Sequence, residues 1–183
     1  MNENLTNKCC DRALCSIAKG DIDKLSVIYN KLSRRIFMLA LSILRNKESA
    51  EDIMQDTFVK IAEQAHTYIP KSNAIAFILT ITRNLSLNRL AKMRQSASLE
   101  RPLDDGAEIA DVDNFFDTTE IGALEALQCL DETERQIIVM KLDCGMKHRH
   151  IASILGISEA ACQKRYRRSL EKLKDYYARE KRR

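Results

Sequence analysis

Residues 150–174 read HIASILGISEAACQKRYRRSLEKLK, and this stretch decides the fold. Ile151, Ile154 and Leu155 form one face of a short helix, and Gly156 supplies the positive φ that ends it. Ile157 can plug a core. Ser158 can cap a second helix, with Glu159 in the first turn where negative charge suits the helix dipole. On that second helix Cys162, Tyr166, Leu170 and Leu173 fall on one side, while Gln163, Lys164, Arg167 and Arg168 project on or beside the opposite side. Two helices joined by a glycine turn, the second anchored on one face and basic on the other, follow helix-turn-helix grammar. Arg and Gln so placed can hydrogen-bond base edges in a major groove. A merely solvated polar face accounts for Lys172 and Lys174, which alternate with Glu171 and Asp175, better than for the concentrated KRYRR at 164–168. DNA binding is therefore the expectation for this helix.

The rest of the chain is consistent with a helical protein. Its 183 residues suffice for one domain or two small ones, and 45% apolar with 31% charged residues is globular rather than disordered. Five glycines, two prolines and no tryptophan, amid many Leu, Ile, Ala, Lys and Glu, favour helices. No segment alternates as a strand, so the fold class expected is all-α. No apolar run approaches the ~20 residues of a membrane span, and the start MNENLTNKCCD lacks a signal-peptide core. The expectation is a cytoplasmic protein with no membrane span. The cysteines at 9, 10, 15, 129, 144 and 162 are scattered and contain no CxxC pair, which in a cytosolic chain argues against a disulfide framework. Cys129 and Cys162 read as core positions. Cys144, His148 and His150 could bind zinc as a trio, but no fourth ligand is evident, and neither metal nor cofactor is expected. There is no glycine-rich phosphate loop, Ser-His-Asp set or carboxylate pair, and His66, His148 and His150 are too dispersed for a catalytic site. The chain does not read as an enzyme.

Charge divides the chain into three parts. Residues 1–95 carry 15 Lys and Arg against 9 Asp and Glu, a net +6. Residues 96–120 carry 1 against 8, a net −7, and residues 121–183 carry 14 against 9, a net +5. The middle segment, with its Pro, Gly and acidic content, reads as an acidic flexible linker. Phe115 and Phe116 are a possible docking point within it. It is either a solvated tether or a shield that covers the basic faces from DNA until a partner moves it. The organisation expected is two small helical domains, an N-terminal helical bundle at 1–95 and a C-terminal helix-turn-helix domain at 121–183, joined by the linker at 96–120.

In the N-terminal part, Asp11 to Lys19 reads as a short helix closed by Gly20. Asp21 can cap a long helix in which Leu25, Ile28, Leu32, Ile36, Leu39 and Ile43 recur at helical spacing. Ser49 or Asn46 opens the next, with Ala50, Ile53, Met54, Thr57, Phe58, Ile61, Ala62 and Ala65 as its apolar stripe. Burying that stripe leaves Glu51, Asp52, Gln55, Asp56 and Glu63 outside. Ser72 or Asn73 caps a helix to about Arg94 that carries Arg83, Asn84, Asn88, Arg89 and Lys92. The C-terminal part gives helices near 120–130, 131–143, 147–155 and 158–178.

LDETERQIIVMKLDCGMKHRHIASILGIS, at 130–158, resembles the C-terminal domain of bacterial RNA polymerase sigma factors, whose helix-turn-helix reads the promoter element near minus thirty-five. AEDIMQDTFVKI at 50–61, followed by FILTITRNLSLNRL at 77–90, resembles the other conserved domain of the small extracytoplasmic-function group, which has only these two domains and a linker. The two motifs, in order and at this separation, are more specific than a helix-turn-helix alone. The resemblance implies a promoter-specificity factor. Asp52, Gln55 and Asp56 would bind the clamp helices of the largest subunit of core RNA polymerase, and an acidic patch on a basic domain does suit a basic protein surface. Lys71, Ser72, Asn73, Phe77, Arg83, Asn84, Asn88, Arg89 and Lys92 would handle the minus-ten element. There the cations would hold phosphates of melted DNA, and the loop from Tyr68 to Asn73 would lodge an extruded base. Gln163, Lys164, Arg167 and Arg168 would read double-stranded promoter DNA, and an anti-sigma factor is implied as a further partner. The chain departs from the family's FRAWL pattern, with Phe77 at the tryptophan position and no arginine before it, where Ala76 precedes Phe77. It also has Ala160-Ala161-Cys162-Gln163-Lys164-Arg165 in place of the usual GTVKSR. Two other readings stand beside this one: a helix-turn-helix regulator or sigma-like accessory protein without initiation activity, and a cysteine-based redox or zinc sensor.

Overall fold

From Ile36 to Leu44 every residue of the second long helix is buried, whichever way its side chain points. A helix that is apolar all round must be enclosed by others, and this one is the axis of the N-terminal unit. The computed structural model describes residues 3–100 and 125–180, and all the elements there are helical, with no strand. The chain divides into two compact units near residue 107. The first contains α1 (Glu3–Ile17), α2 (Leu25–Leu44), α3 (Lys47–Gln64) and α4 (Ala74–Glu100). Helices α1, α3 and α4 all pack on α2.

Local chemistry sets most of the boundaries. Helix α1 begins eight residues before the expected Asp11, and it buries Thr6, Cys10, Ala13, Leu14 and Ile17 along one stripe. Gly20, at φ +99°, turns the chain after it. Asp21 leads into a short 3-10 turn, Ile22–Lys24, without making a side-chain cap; its carboxylate instead lies 3.5 Å from Lys24 Nζ. Helix α2 therefore starts at Leu25. Between the two candidates for the cap of α3, Asn46 takes the role: its side chain accepts from the Ser49 N–H at 2.8 Å, and Ser49 is buried in the first turn. Asn73 caps α4 in the same way, accepting from the Ala76 N–H at 3.0 Å. The fourth helix runs to Glu100, beyond the expected end at Arg94.

Helices α3 and α4 meet through small hydroxyl residues. Thr57 and Thr82 are fully buried, with their Oγ1 atoms 3.4 Å apart, and they donate to the carbonyls of Ile53 and Ile78 one turn back. Ser86, also fully buried, donates to Thr82 O. Back-bonding satisfies each hydroxyl within its own helix, so the two backbones approach closely without stranding a polar group.

The second unit contains α5 (Glu132–Ile138), α6 (His148–Leu155) and α7 (Glu159–Glu180). Of the helix expected near 120–130, the described part starts at residue 125 and closes in a 3-10 turn, Leu127–Cys129, because Leu130 is extended to deliver Asp131 as the next cap. That turn points Cys129 outward, so the expectation of a core cysteine is corrected there: Cys129 is exposed, its thiol donating to Ala126 O. Cys162 is fully buried, as expected. Helix α5 gives way to one π turn, Val139–Asp143. The linker residues 101–120, Phe115 and Phe116 among them, lie outside the described residues.

Asp131 and Glu134 form a capping box: the Asp131 side chain accepts from the Glu134 N–H and the Glu134 carboxylate accepts from the Asp131 N–H. The same Glu134 oxygen accepts from Lys172 Nζ of α7 at 2.7 Å. Lys172 therefore has a structural partner rather than a purely solvated place. Glu134→Ala leaves the Asp131 cap on the backbone N–H in place but removes the reciprocal bond to the Asp131 N–H and the ion pair, and should destabilise the C-terminal unit by about 1–2 kcal/mol, whereas Glu134→Gln keeps an acceptor for the Asp131 N–H and should cost less than half of that. Hydrogen exchange of the α5 amides measures the difference; equal losses in the two variants would contradict the assignment.

Candidate nucleic-acid and protein interfaces

The helix-turn-helix is assembled within a dozen residues. Gly156 sits at φ 67°, ψ 31°, and the Ile157 N–H returns to Ala152 O at 3.1 Å, closing α6 with a left-handed cap. Ser158 Oγ accepts from the Ala161 N–H at 3.1 Å and starts α7. Ile151, Ala152 and Cys162 are buried around the turn, and Ile157 is half-buried. On α7 the inward line is Cys162, Tyr166, Ser169, Leu173 and Tyr176. Ser169, fully buried and donating to Arg165 O, joins this side, and Leu170, expected there, is half-buried beside it. Gln163, Lys164, Arg167 and Arg168 are all exposed, at i, i+1, i+4 and i+5, and so share one outward face. Arg165 is exposed beside them.

On α3 the apolar stripe expected from the sequence faces inward, with Ala50, Ile53, Thr57, Ile61 and Ala65 buried. Asp52, Gln55, Asp56 and Glu63 are exposed. Val59, 59% exposed, lies one turn beyond Gln55, so the acidic face has an apolar residue in it that the charge pattern hid. The ring of Tyr29 on α2 lies tilted against that of Phe58, with centroids 5.2 Å apart.

On α4 the buried positions Ile75, Ile78, Leu79, Ile81, Thr82 and Ser86 leave Asn84, Asn88, Arg89 and Lys92 exposed and Arg83 half-buried. Arg89 Nη2 lies 3.5 Å from Asp52 Oδ2, with both side chains about half exposed. This pair links the acidic face of α3 to the basic face of α4, although at such exposure it adds little stability.

The loop before α4 has an exposed tip, Ile69 to Ser72, with Ile69 73% exposed, between a buried Tyr68 and a half-buried Asn73. Lys71 and Ser72 are thus presented outward. Phe77 is half-buried, and its ring lies 5.3 Å from that of Tyr68, so it supports the loop from behind. The Tyr68 hydroxyl donates to Asp11 Oδ1 at 2.7 Å, and burial together with that carboxylate pushes its pKa well above the usual phenol value. It remains a proton donor at any physiological pH. The Lys71 N–H also donates to Asp11 Oδ1, at 2.6 Å. Asn7 accepts from the Ile75 N–H and donates to Ser72 O. Sequence reading gave Asp11 and Asn7 no part in this region. Their only signal is a shared helical face at i and i+4, and their partners lie 57 to 68 residues away.

Residues 28–96 match the family of Sigma-70 region 2, and residues 122–173 match that of Sigma-70 region 4, leaving α1 outside both. Over 175 residues the chain is 23% identical to the ECF RNA polymerase sigma factor SigK of Mycobacterium sp. (strain KMS), covering 90% of this chain and 89% of the relative. It is 26% identical over 157 residues to the RNA polymerase sigma factor CarQ of Myxococcus xanthus, covering 85% of this chain and 90% of CarQ. The chain belongs to the sigma-70 family, in its extracytoplasmic-function group. It is a promoter-recognising factor of RNA polymerase and not an enzyme. The fold of this sigma factor is similar to that of CnrH in complex with the cytosolic domain of CnrY (TM-score 0.69, 21% identity, 93% of this chain and 97% of that one). It is similar also to that of the sigma factor RpoE in complex with the anti-sigma factor NepR from Bartonella quintana (TM-score 0.69, 22% identity, 80% and 92%). Among the described residues no helix is long and apolar enough to cross a membrane.

The histidine and cysteine trio near the turn is dispersed. Cys144 is buried, while the His148 ring stands edge-on to Tyr166 of α7 at 5.1 Å. Among the described residues no three His, Cys, Asp or Glu side chains gather as a metal site. Burial lowers the His148 pKa below its ordinary 6.5, the positive charge of Lys141 and then of Arg167 adds to this, and Glu159 opposes it. Folding thus favours the neutral ring. The stability it contributes is fully present above the unfolded value near 6.5 and is lost as pH falls below it. Acidification from pH 7.5 to 5.5 should weaken hydrogen-exchange protection of α6 and α7, and His148→Phe, which keeps a ring against Tyr166, should reduce that drop. An equal drop in both proteins would refute the assignment to His148.

Proposed function

We propose that this sigma factor divides promoter recognition between its two units. In this reading residues 1–95 bind core polymerase and the minus-ten element, the acidic stretch that follows the end of α4 at Glu100 is the tether, and residues 121–183 bind the minus-thirty-five element. The observation that carries the reading is the outward face of α7. Gln163, Lys164, Arg167 and Arg168 stand together in water on a helix whose other side is fixed by the buried Cys162 and Ser169. Guanidinium and amide groups of this kind pair with base edges in the major groove or with phosphates.

Asp52, Gln55 and Asp56 supply the complementary half. Two carboxylates and an amide on the exposed face of α3 suit a basic partner surface, and we assign to them the clamp helices of the polymerase largest subunit. The exposed Lys71 and Ser72, with the half-buried Asn73, form the pocket for an extruded minus-ten base, with Phe77 behind them. Arg83, Asn84, Asn88, Arg89 and Lys92 hold the opened strand along α4. Solved relatives of the same fold are complexes with CnrY and with the anti-sigma factor NepR. By analogy an anti-sigma protein controls this chain too, and the protein acts in the cytoplasm, where polymerase and chromosome are.

Transcription in vitro with core polymerase on a promoter library tests the division of labour. Asp52→Ala with Gln55→Ala should weaken core binding at least about tenfold and leave the duplex affinity of the C-terminal unit unchanged. Core binding at wild-type strength in that variant would favour a DNA-binding regulator without initiation activity. Arg167→Ala or Arg168→Ala should cost about 1–3 kcal/mol at a base-reading position, or lower the salt slope by about one if the contact is a phosphate. Wild-type affinity and salt dependence in the double variant would refute the assignment of α7.

A further inference from the structure

One carboxylate oxygen of α1 holds the loop that precedes α4. Asp11 Oδ1 accepts from the Tyr68 hydroxyl at 2.7 Å and from the Lys71 N–H at 2.6 Å, gripping the loop at both ends of its tip. One turn earlier on the same helix, Asn7 accepts from the Ile75 N–H at 3.1 Å and donates to Ser72 O at 3.4 Å. The Tyr68 hydroxyl also lies 3.3 Å from that carbonyl. Asn7 and Asp11 flank the stripe that α1 buries in the bundle, so the helix offering these groups is itself anchored by Cys10, Ala13, Leu14 and Ile17.

What is held is a strained conformation. Lys71 has φ +66°, a left-handed backbone that a residue with a Cβ rarely adopts. Such residues persist where the surroundings over-determine them, and here the Lys71 N–H is tied to Asp11 while neighbouring Ser72 is tied through its carbonyl to Asn7. The tip itself stays in water, with Ile69, Pro70, Lys71 and Ser72 exposed. A backbone pinned from behind with its outer face open is the arrangement of a preorganised binding loop. Its ordering entropy is met on folding rather than on ligand binding.

We propose that Asp11, assisted by Asn7, is a positioning residue for minus-ten recognition, holding the loop from Tyr68 to Asn73 in the shape that receives an extruded base. This rests on the assignment of that loop to the minus-ten element made above. Asp11 touches no DNA itself; it acts through the backbone at Lys71 and the hydroxyl of Tyr68. The consequence is that α1, beyond its packing role, contributes to base preference and strand opening.

The test uses the full chain with core polymerase and a promoter carrying 2-aminopurine in the minus-ten element, whose fluorescence reports the unstacked base. Asp11→Ala should bind core polymerase as the wild type does, yet open the promoter about tenfold more slowly and discriminate less among single-base changes in the minus-ten element. Asp11→Asn retains an acceptor oxygen and should recover opening to within about threefold. Lys71→Gly, which adopts a left-handed backbone without strain, should recover part of the loss when combined with Asp11→Ala. Wild-type opening and base preference in Asp11→Ala would overturn the proposal. So would a parallel loss of core binding and thermal stability, which marks a residue that only holds the bundle together. Lys71→Ala with Ser72→Ala separates the two levels. If that change alters minus-ten preference while Asp11→Ala does not, the positioning role alone falls; if neither alters it, the loop is not the base pocket and both readings fall.

Discussion

Burying one side of a helix determines what its other side can offer, and each candidate interface that lies on a helix of this sigma factor depends on that constraint. Cys162 and Ser169 have no exposed surface on α7, which fixes the rotation of the helix and turns Gln163, Lys164, Arg167 and Arg168 outward together. The same holds on α3, where the burial of Ala50, Ile53, Thr57 and Ile61 points Asp52, Gln55 and Asp56 to solvent. None of these polar groups needs a dedicated partner to hold its direction. The apolar contacts behind them, each removing surface from water at about 25 cal/mol per Å², supply the orientation. Charge is thereby free to serve recognition.

Close packing of polar residues extends the same logic. The α3–α4 contact runs through Thr57, Thr82 and Ser86, all fully buried. Each hydroxyl donates to the carbonyl four residues, about one turn, back, so small side chains bring the two helices together without leaving a buried polar group unpaired. The proximity has a visible result at the surface, where Arg89 of α4 reaches Asp52 of α3. An acidic surface suited to a protein and a basic surface suited to a nucleic acid thus meet along one seam of the N-terminal unit.

The legible parts of this molecule are those in which cause and effect are close in sequence. Gly156 and Ser158 announce the turn because each acts on residues within four or five positions, and the period of Ile53, Thr57 and Ile61 gives the inward face of α3 directly. Cys129 was misread because its apolar neighbours suggested a helix, whereas the extended Leu130 required by the Asp131 cap breaks that helix one residue after it. Ser169 was passed over because a hydroxyl is polar, although a serine that donates to the carbonyl four residues back can be buried with its hydroxyl satisfied. The start of α1 was placed too late because ENLTNKCC contains only one large apolar residue, Leu5, and that residue is exposed. The stripe that anchors α1 is made instead of Thr6, Cys10 and Ala13, which carry weak periodic signals.

The two elements to which we assign recognition of promoter DNA, the helix-turn-helix and the loop before α4, are stabilised in different ways. The helix-turn-helix is self-contained: its turn is closed by hydrogen bonds between residues 152 and 161, and its geometry is written in its own sequence. The loop from Tyr68 to Asn73 has a left-handed Lys71 where no glycine stands; besides its own turn bond from the Ser72 N–H to Ile69 O, it is braced by Asp11 and Asn7, about 60 residues earlier. A glycine at position 71 would make that backbone cheaper to adopt, but it would also leave the loop looser in the unfolded and folded states alike. A side chain there requires an external brace, and a brace makes the shape single-valued. Under the role proposed for this loop, a few residues must hold an unstacked base in one place, and rigidity borrowed from a neighbouring helix serves that better than a turn that forms easily by itself.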